Sequence, residues 1–331
     1  MSKLAEREPA PGSTPVATAP ALAVQFFLIP LAVVGMVVLV YGGFRFLVTD
    51  QRTPEEYLND VRTGGRDRRW PAAYELSRLL ANPDVEVEHP SLGSSLVQAF
   101  EDSQGDDQRV RRYLALAIGQ LNSPPADAVE RLVVGLSDPD AETVISVIWA
   151  LASLNASSVG PEIEAAYSSE DDGVRKMAVY ALGALPSASG LAVLQRALED
   201  PVPDVQWNAA VALARHGNPD GETVLGRMLN RDYVAQHVTR AAAVDAVMDP
   251  VSEVMVSGLQ AVAALQSSSL RDQVETLSQA DESLRVREVA IRTLKALNQP
   301  TPEAEGRVSP RVTHVRRHEA ITDMGSTGRR G

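Results

Sequence analysis

The chain repeats itself, and this constrains its fold more than any other feature. With Val110 in RVRRYLALAIGQL as a marker, the same register returns at Thr143, Val174, Val205, Val254 and Val286, at intervals of 33, 31, 31, 49 and 32 residues. Four residues past the marker stand Leu114, Val147, Ala178, Ala209, Gly258 and Ala290. Seven past it stand Ala117, Ala150, Ala181, Ala212, Ala261 and Thr293, and eight past it Ile118, Leu151, Leu182, Leu213, Val262 and Leu294. With Leu121, Leu154, Leu185, His216, Leu265 and Leu297 at eleven, these offsets trace one apolar face of an α-helix. Small residues at offset seven let a neighbouring helix approach closely. A shorter helix precedes each one and ends at an Asp-rich turn: AVERLVVGL before SDPD (137–140), EIEAAYSS before EDD (170–172), LAVLQRAL before EDPVPD (199–204). Such a helix–turn–helix unit cannot bury its apolar face alone and must stack on its neighbours. The sequence therefore predicts an all-α chain, an α-solenoid.

The segments VRKMAVYALGAL (174–185) and VQWNAAVALARH (205–216) resemble the signature of HEAT-type repeats, in the short bacterial form also named after phycobilisome lyases. The resemblance covers about residues 54–298. It implies a bacterial HEAT-repeat protein acting as scaffold or adaptor within a membrane complex. Some relatives of this repeat form resemble bilin lyases or isomerases, so the alternative is an enzyme of that kind. That reading needs a tetrapyrrole-sized pocket with a convergent acid or base.

Residues 1–20 are rich in Pro, Ala, Thr and Ser and read as a disordered tail. Residues 21–48 read as a transmembrane helix. No charge falls between Phe26 and Phe44, Gln25 and Arg45 bracket the run, and Tyr41 sits near one end, about the 20 residues a span requires. A cleaved signal peptide fits less well, because the run is long and no small-x-small cleavage site follows it. Arg45, Arg52, Arg62, Arg66, Arg68 and Arg69 on the C-terminal flank, against distant Lys3 and Arg7, predict an inner (plasma) membrane protein, single-pass, with its body in the cytoplasm. Residues 49–89 read as N-terminal capping helices, opened by Thr53-Pro54-Glu55-Glu56, with 68–80 in a weak register that starts at Arg68. The repeats then fill 90–298. The long interval marks an insertion at about 230–250, either a plain surface loop or a partner contact. Residues 299–331, with six arginines, read as a second disordered tail.

Composition excludes much chemistry. There is no cysteine, hence no disulfide, thiolate or cysteine zinc site, and the five histidines show no metal-ligand spacing. His216, beside Gly217-Asn218-Pro219, reads as a helix C-terminal residue, while His89 and His237 have no partners at zinc spacing. The net charge of −12 divides into +1 over 1–49, +2 over 299–331 and −15 between them. An acidic body argues against nucleic-acid binding. Asp138, Asp140, Asp171, Asp172, Asp200, Asp204, Asp281 and Glu282 recur with the repeat, which assigns them to turns and caps rather than to catalysis. No catalytic, cofactor-binding or metal-ligating residue is predicted.

What the pattern does nominate is a protein-binding surface. In a stacked solenoid the second helices line the concave side. Tyr113, Ile145, Trp149, Met177, Tyr180 and Trp207 fall off the apolar face at offsets two, three and six, in a chain with few aromatics. They read either as a concave hot-spot patch for partner proteins or as packing between adjacent second helices. Arg111, Arg175 and Arg287, at offset one, solvate the edge or pair with the repeat acids.

Overall fold

The computed structural model describes residues 29–48, 52–82, 91–186, 190–238 and 249–299. The predicted tails apart from Gln299, residues 21–28 of the predicted span, His89 and residues 239–248 of the insertion lie outside them. The chain divides into two units, 1–52 and 53–331. In the first, α1 (Ile29–Val48) is a single helix, and its described side chains, 30–43, are all exposed. Among the described residues no helix is long and apolar enough to cross a membrane.

The described part of the second unit is seven helix pairs. They are α2 (Pro54–Thr63) with α3 (Arg66–Leu80), α4 (Ser91–Asp102) with α5 (Gln108–Gly119), α6 (Ala128–Val134) with α7 (Ala141–Ser153), and α8 (Gly160–Ala166) with α9 (Asp172–Ala184). Then come α10 (Leu191–Ala197) with α11 (Pro203–Arg215), α12 (Glu222–Met228) with α14 (Pro250–Leu265), and α15 (Arg271–Ala280) with α16 (Leu284–Leu297). The insertion contributes α13 (Arg231–His237), a helix where the sequence suggested a loop. The second helices α3, α5, α7, α9, α11, α14 and α16 each pack on the next and form one continuous layer.

Local chemistry sets the ends. Thr53 and Glu56 close a capping box at α2, where Pro54 takes the first helical position. Asp140 and Asp171 cap α7 and α9 by accepting the backbone N–H groups of Thr143 and Val174. Twelve residues past the marker, Asn155, Gly217 and Gln266 turn into the left-handed region at φ 56, 70 and 55°. One residue later the N–H groups of Ala156, Asn218 and Ser267 return to the carbonyls of Leu151, Leu213 and Val262, ending α7, α11 and α14 alike. This common ending places Val254 in register despite the long interval before it.

The predicted face is the buried one: Val110, Leu114, Ala117 and Ile118 on α5 and Val205, Ala209 and Leu213 on α11 are sealed from solvent. The register of α3 needs a correction. Ala73, Leu76, Ser77 and Leu80 are its buried residues at the repeat's offsets, so the marker is Arg69, not Arg68. Arg69 stands where other pairs carry an apolar residue or Thr because its Nε donates to the Val61 carbonyl at 2.7 Å and its guanidinium pairs with Asp106. The predicted cap is thus a helix pair built like those that follow it.

The layer closes on small residues. A Cβ built on Gly183 would lie 2.4 Å from the Cβ of Ala212 and 2.9 Å from its Cα. Helices α9 and α11 would have to separate to admit one. Gly183→Val is therefore expected to cost about 1–3 kcal/mol, read as a lower urea midpoint, although it removes a glycine from a helix. A variant as stable as the parent would show that the two helices part freely.

Candidate functional site

The second-helix layer holds the predicted surface residues, and burial sorts them. Trp149 and Trp207 are 5% and 4% exposed, so the expectation that they lie open on the surface is wrong. The cause is the approach of adjacent second helices. Trp149 covers Gly119 of α5, where an added Cβ would meet its Cζ3 at 2.9 Å. Trp207 sits in the C-terminal core cluster with Met255 and Val256 of α14, its Nε1 buried and without a hydrogen-bond partner. Both are packing residues.

The other four remain accessible on consecutive second helices. Tyr113 on α5 is half-buried, edge-on to Tyr74 of α3 at 5.2 Å between centroids. Burial pushes its hydroxyl pKa up. Ile145 on α7 is half-buried against Gly173, and Met177 on α9 is half-buried. Tyr180, on the same helix, is 40% exposed. Trp70 of α3, which the sequence pattern did not single out, is half-buried, with the Arg109 guanidinium 4.4 Å over its ring. Ion pairs between neighbouring second helices flank the row: Arg112 to Asp140 at 3.3 Å and Lys176 to Asp204 at 3.3 Å.

Of the offset-one arginines, Arg111 and Arg175 pair with the repeat acids, while Arg287 donates to the Asp281 backbone carbonyl. Five residues before their markers, Asp138, Asp200 and Asp281 each accept the backbone N–H two residues on, at 3.0, 3.0 and 2.9 Å. Each carboxylate also receives a guanidinium. Arg111 Nε donates to Asp138 at 2.7 Å, and both side chains are buried. Arg175 donates through Nε to Oδ2 and through Nη2 to Oδ1 of Asp200, at 3.0 and 3.2 Å. The Asp200 side chain is only 2% exposed and also accepts from Tyr167 Oη. The signal was present in the sequence as a match between columns: Arg111 precedes Asp138, Arg175 precedes Asp200, and Val144 precedes Ser169.

Burial alone would raise the Asp200 carboxyl pKa, but hydrogen bonds from Arg175 and the Val202 N–H outweigh it and hold the group below the ordinary carboxylate range. Asp249 is lowered in the same way, against burial, by Ser252, the Val251 N–H and Arg231. A carboxyl whose folded pKa is depressed stabilises the fold above its unfolded value near 4, and loses that contribution as pH falls through the folded value. The melting temperature is thus expected to drop as pH falls below about 4, and less steeply in Asp200→Asn. Equal pH profiles would contradict the assignment.

His216 ends α11, and its Nε2 lies 3.2 Å from the Leu182 carbonyl of α9. The His237 ring stacks on Tyr233 at 4.2 Å, with Nδ1 2.8 Å from the Tyr233 carbonyl. Among the described residues no group of His, Asp and Glu is placed to hold a metal ion. A cavity of about 470 Å³ opens between α2 and α4, lined by Glu55, Leu58, Arg62, Arg69, Leu92 and Asp102 among others.

The family described as HEAT repeats matches residues 160–248, the stretch from α8 into the insertion. No curated protein matches the chain. Among solved structures the chain is similar to the complex of CpcE and CpcF of phycocyanin lyase from Nostoc sp., at 19% identity over 76% of this chain and 96% of that one, with a TM-score of 0.49. It is also similar to human deoxyhypusine hydroxylase in complex with glycerol, at 18% identity over 74% and 95% with a TM-score of 0.33. A designed armadillo repeat protein matches at 16% identity over 75% and 100% with a TM-score of 0.36.

Proposed function

We propose that this chain is a membrane-anchored scaffold that binds partner proteins through its second-helix layer and carries out no catalysis. One observation carries the binding role. Consecutive second helices form an unbroken layer in which Tyr113, Ile145, Met177 and Tyr180 keep access to solvent while the residues beneath them are sealed. A layer of this kind offers extended surface, and aromatic side chains with little entropy to lose are the anchors such surfaces use. Of the periodic acids, which a catalytic reading would have to employ, Asp138, Asp140, Asp171 and Asp200 are engaged in caps and ion pairs.

Anchoring is supported by the uncharged sequence from Phe26 to Phe44, part of which lies in α1. Its described side chains, Leu31, Val34, Met36 and Leu39 among them, are exposed over a run without charge, and apolar side chains bare on every face of a helix call for a lipid or protein environment. In this reading the body faces the cytoplasm.

The binding test is crosslinking of the tagged full-length chain in native membranes. Tyr180→Ala with Met177→Ala is expected to lose proteins that the parent recovers, and identical recovery would end the binding proposal. For the anchor, the full chain should resist carbonate extraction and a chain lacking residues 1–48 should not. A fluorescent reporter after Gly331 that stays dark in an expressed fusion would reverse the orientation.

A further inference from the structure

The insertion begins with a residue that the repeat is missing. At offset one, Arg111 and Arg175 each reach the aspartate in the turn of the next pair, Asp138 and Asp200. The residue at that offset on α14 is Met255, which is fully buried, so Asp281 in the next turn has no arginine from its column. Asp249, at the start of α14, follows Gln206, whose side-chain amide donates to the Asp200 carbonyl instead. Both aspartates are served by Arg231, the first residue of α13.

Arg231 donates through Nε to Oδ2 of Asp281 at 3.1 Å and through Nη2 to Oδ1 at 2.7 Å. These are the same atoms, in the same pairing, that join Arg175 to Asp200. Its Nη1 reaches Asp249 at 3.3 Å and Glu282 at 3.1 Å, and its Nη2 reaches Ser252 Oγ at 3.3 Å. Asp281 is 2% exposed at its side chain, so without this guanidinium it would be a buried carboxylate short of a cation. One turn further along α13, Val234 is sealed in the C-terminal core.

We infer that α13 is a structural clasp: Arg231 substitutes for the missing column arginine at Met255 and fastens the start of α14 to the turn before α16. The inward side of this part of the insertion is therefore committed to the fold and is not a partner contact. The clasp is local, since every group it ties belongs to the last two helix pairs.

Amide hydrogen exchange on the full-length chain tests this. Arg231→Ala is expected to speed exchange in α14–α16 by about tenfold or more while α5–α9 exchange as in the parent. Arg231→Lys keeps the charge without the fork and should fall between the two. Asp281→Ala should loosen the same helices. The double variant should be less than additive, because either single change removes the same two hydrogen bonds, and only Arg231→Ala leaves the sealed Asp281 carboxylate without its cation. Unchanged exchange in Arg231→Ala, faster exchange across the whole chain, or strict additivity in the double variant would each overturn the clasp.

Discussion

Replacing Asp200 by alanine is expected to remove about 3–5 kcal/mol of stability, the loss of four hydrogen bonds to a carboxylate sealed from solvent. Asp200 is a junction rather than one half of a pair. Its carboxylate accepts from Arg175 twice, from Tyr167 Oη and from the Val202 N–H. Its carbonyl accepts from Gln206 at 2.6 Å. The substitution leaves Arg175 with the Ser169 and Glu170 carbonyls alone and unties the turn between α10 and α11. Removing the charge from both sides tells a different story. Arg175→Met with Asp200→Leu leaves nothing ionised in the buried site, so the pair together should cost well under the sum of the two single changes. Because stacked pairs open individually, urea unfolding should be followed with hydrogen exchange, and α9–α11 should open first. An Asp200→Ala chain that melts with the parent would mean that solvent reaches this junction freely.

The periodicity read in the sequence is the periodicity of the structure, because one apolar face packed against like faces obeys a single spacing. Offsets 0, 4, 7 and 8 are buried on α5, α7, α9 and α11. The layer's outer side was less legible. Trp149 and Tyr180 share offset six, yet one is sealed and the other 40% exposed. Offset fixes direction on a helix; it does not fix how closely the next helix approaches. That approach is set by Gly119 under Trp149, a residue of the neighbouring helix. The first pair was misphased because Arg69 occupies a column that is otherwise apolar or Thr, and its hydrogen bond to the Val61 carbonyl leaves no periodic trace. The offset-one arginines and the aspartates that they meet were legible as matched columns. Arg231 was not, since it reaches its column from outside the repeat.

Trp149→Ala is the second large effect, about 3–5 kcal/mol for truncating a buried aromatic ring. The ring lies on Gly119 and closes the seam between α5 and α7, so truncation opens a cavity between two helices that touch backbone to backbone there. A loss of less than a fifth of this in urea unfolding would show the seam collapsing around the smaller side chain. The same variant carries a warning for binding experiments. A partner lost from Trp149→Ala would report a loosened layer, because this side chain is buried. Tyr180→Ala changes an exposed side chain and should stay within about 0.5 kcal/mol of the parent. Loss of partner proteins from Tyr180→Ala at unchanged stability therefore separates recognition from packing. If Tyr180→Ala proved as destabilising as Trp149→Ala, Tyr180 would belong to the packing of the layer, and the surface would have to be sought among Tyr113, Ile145 and Met177.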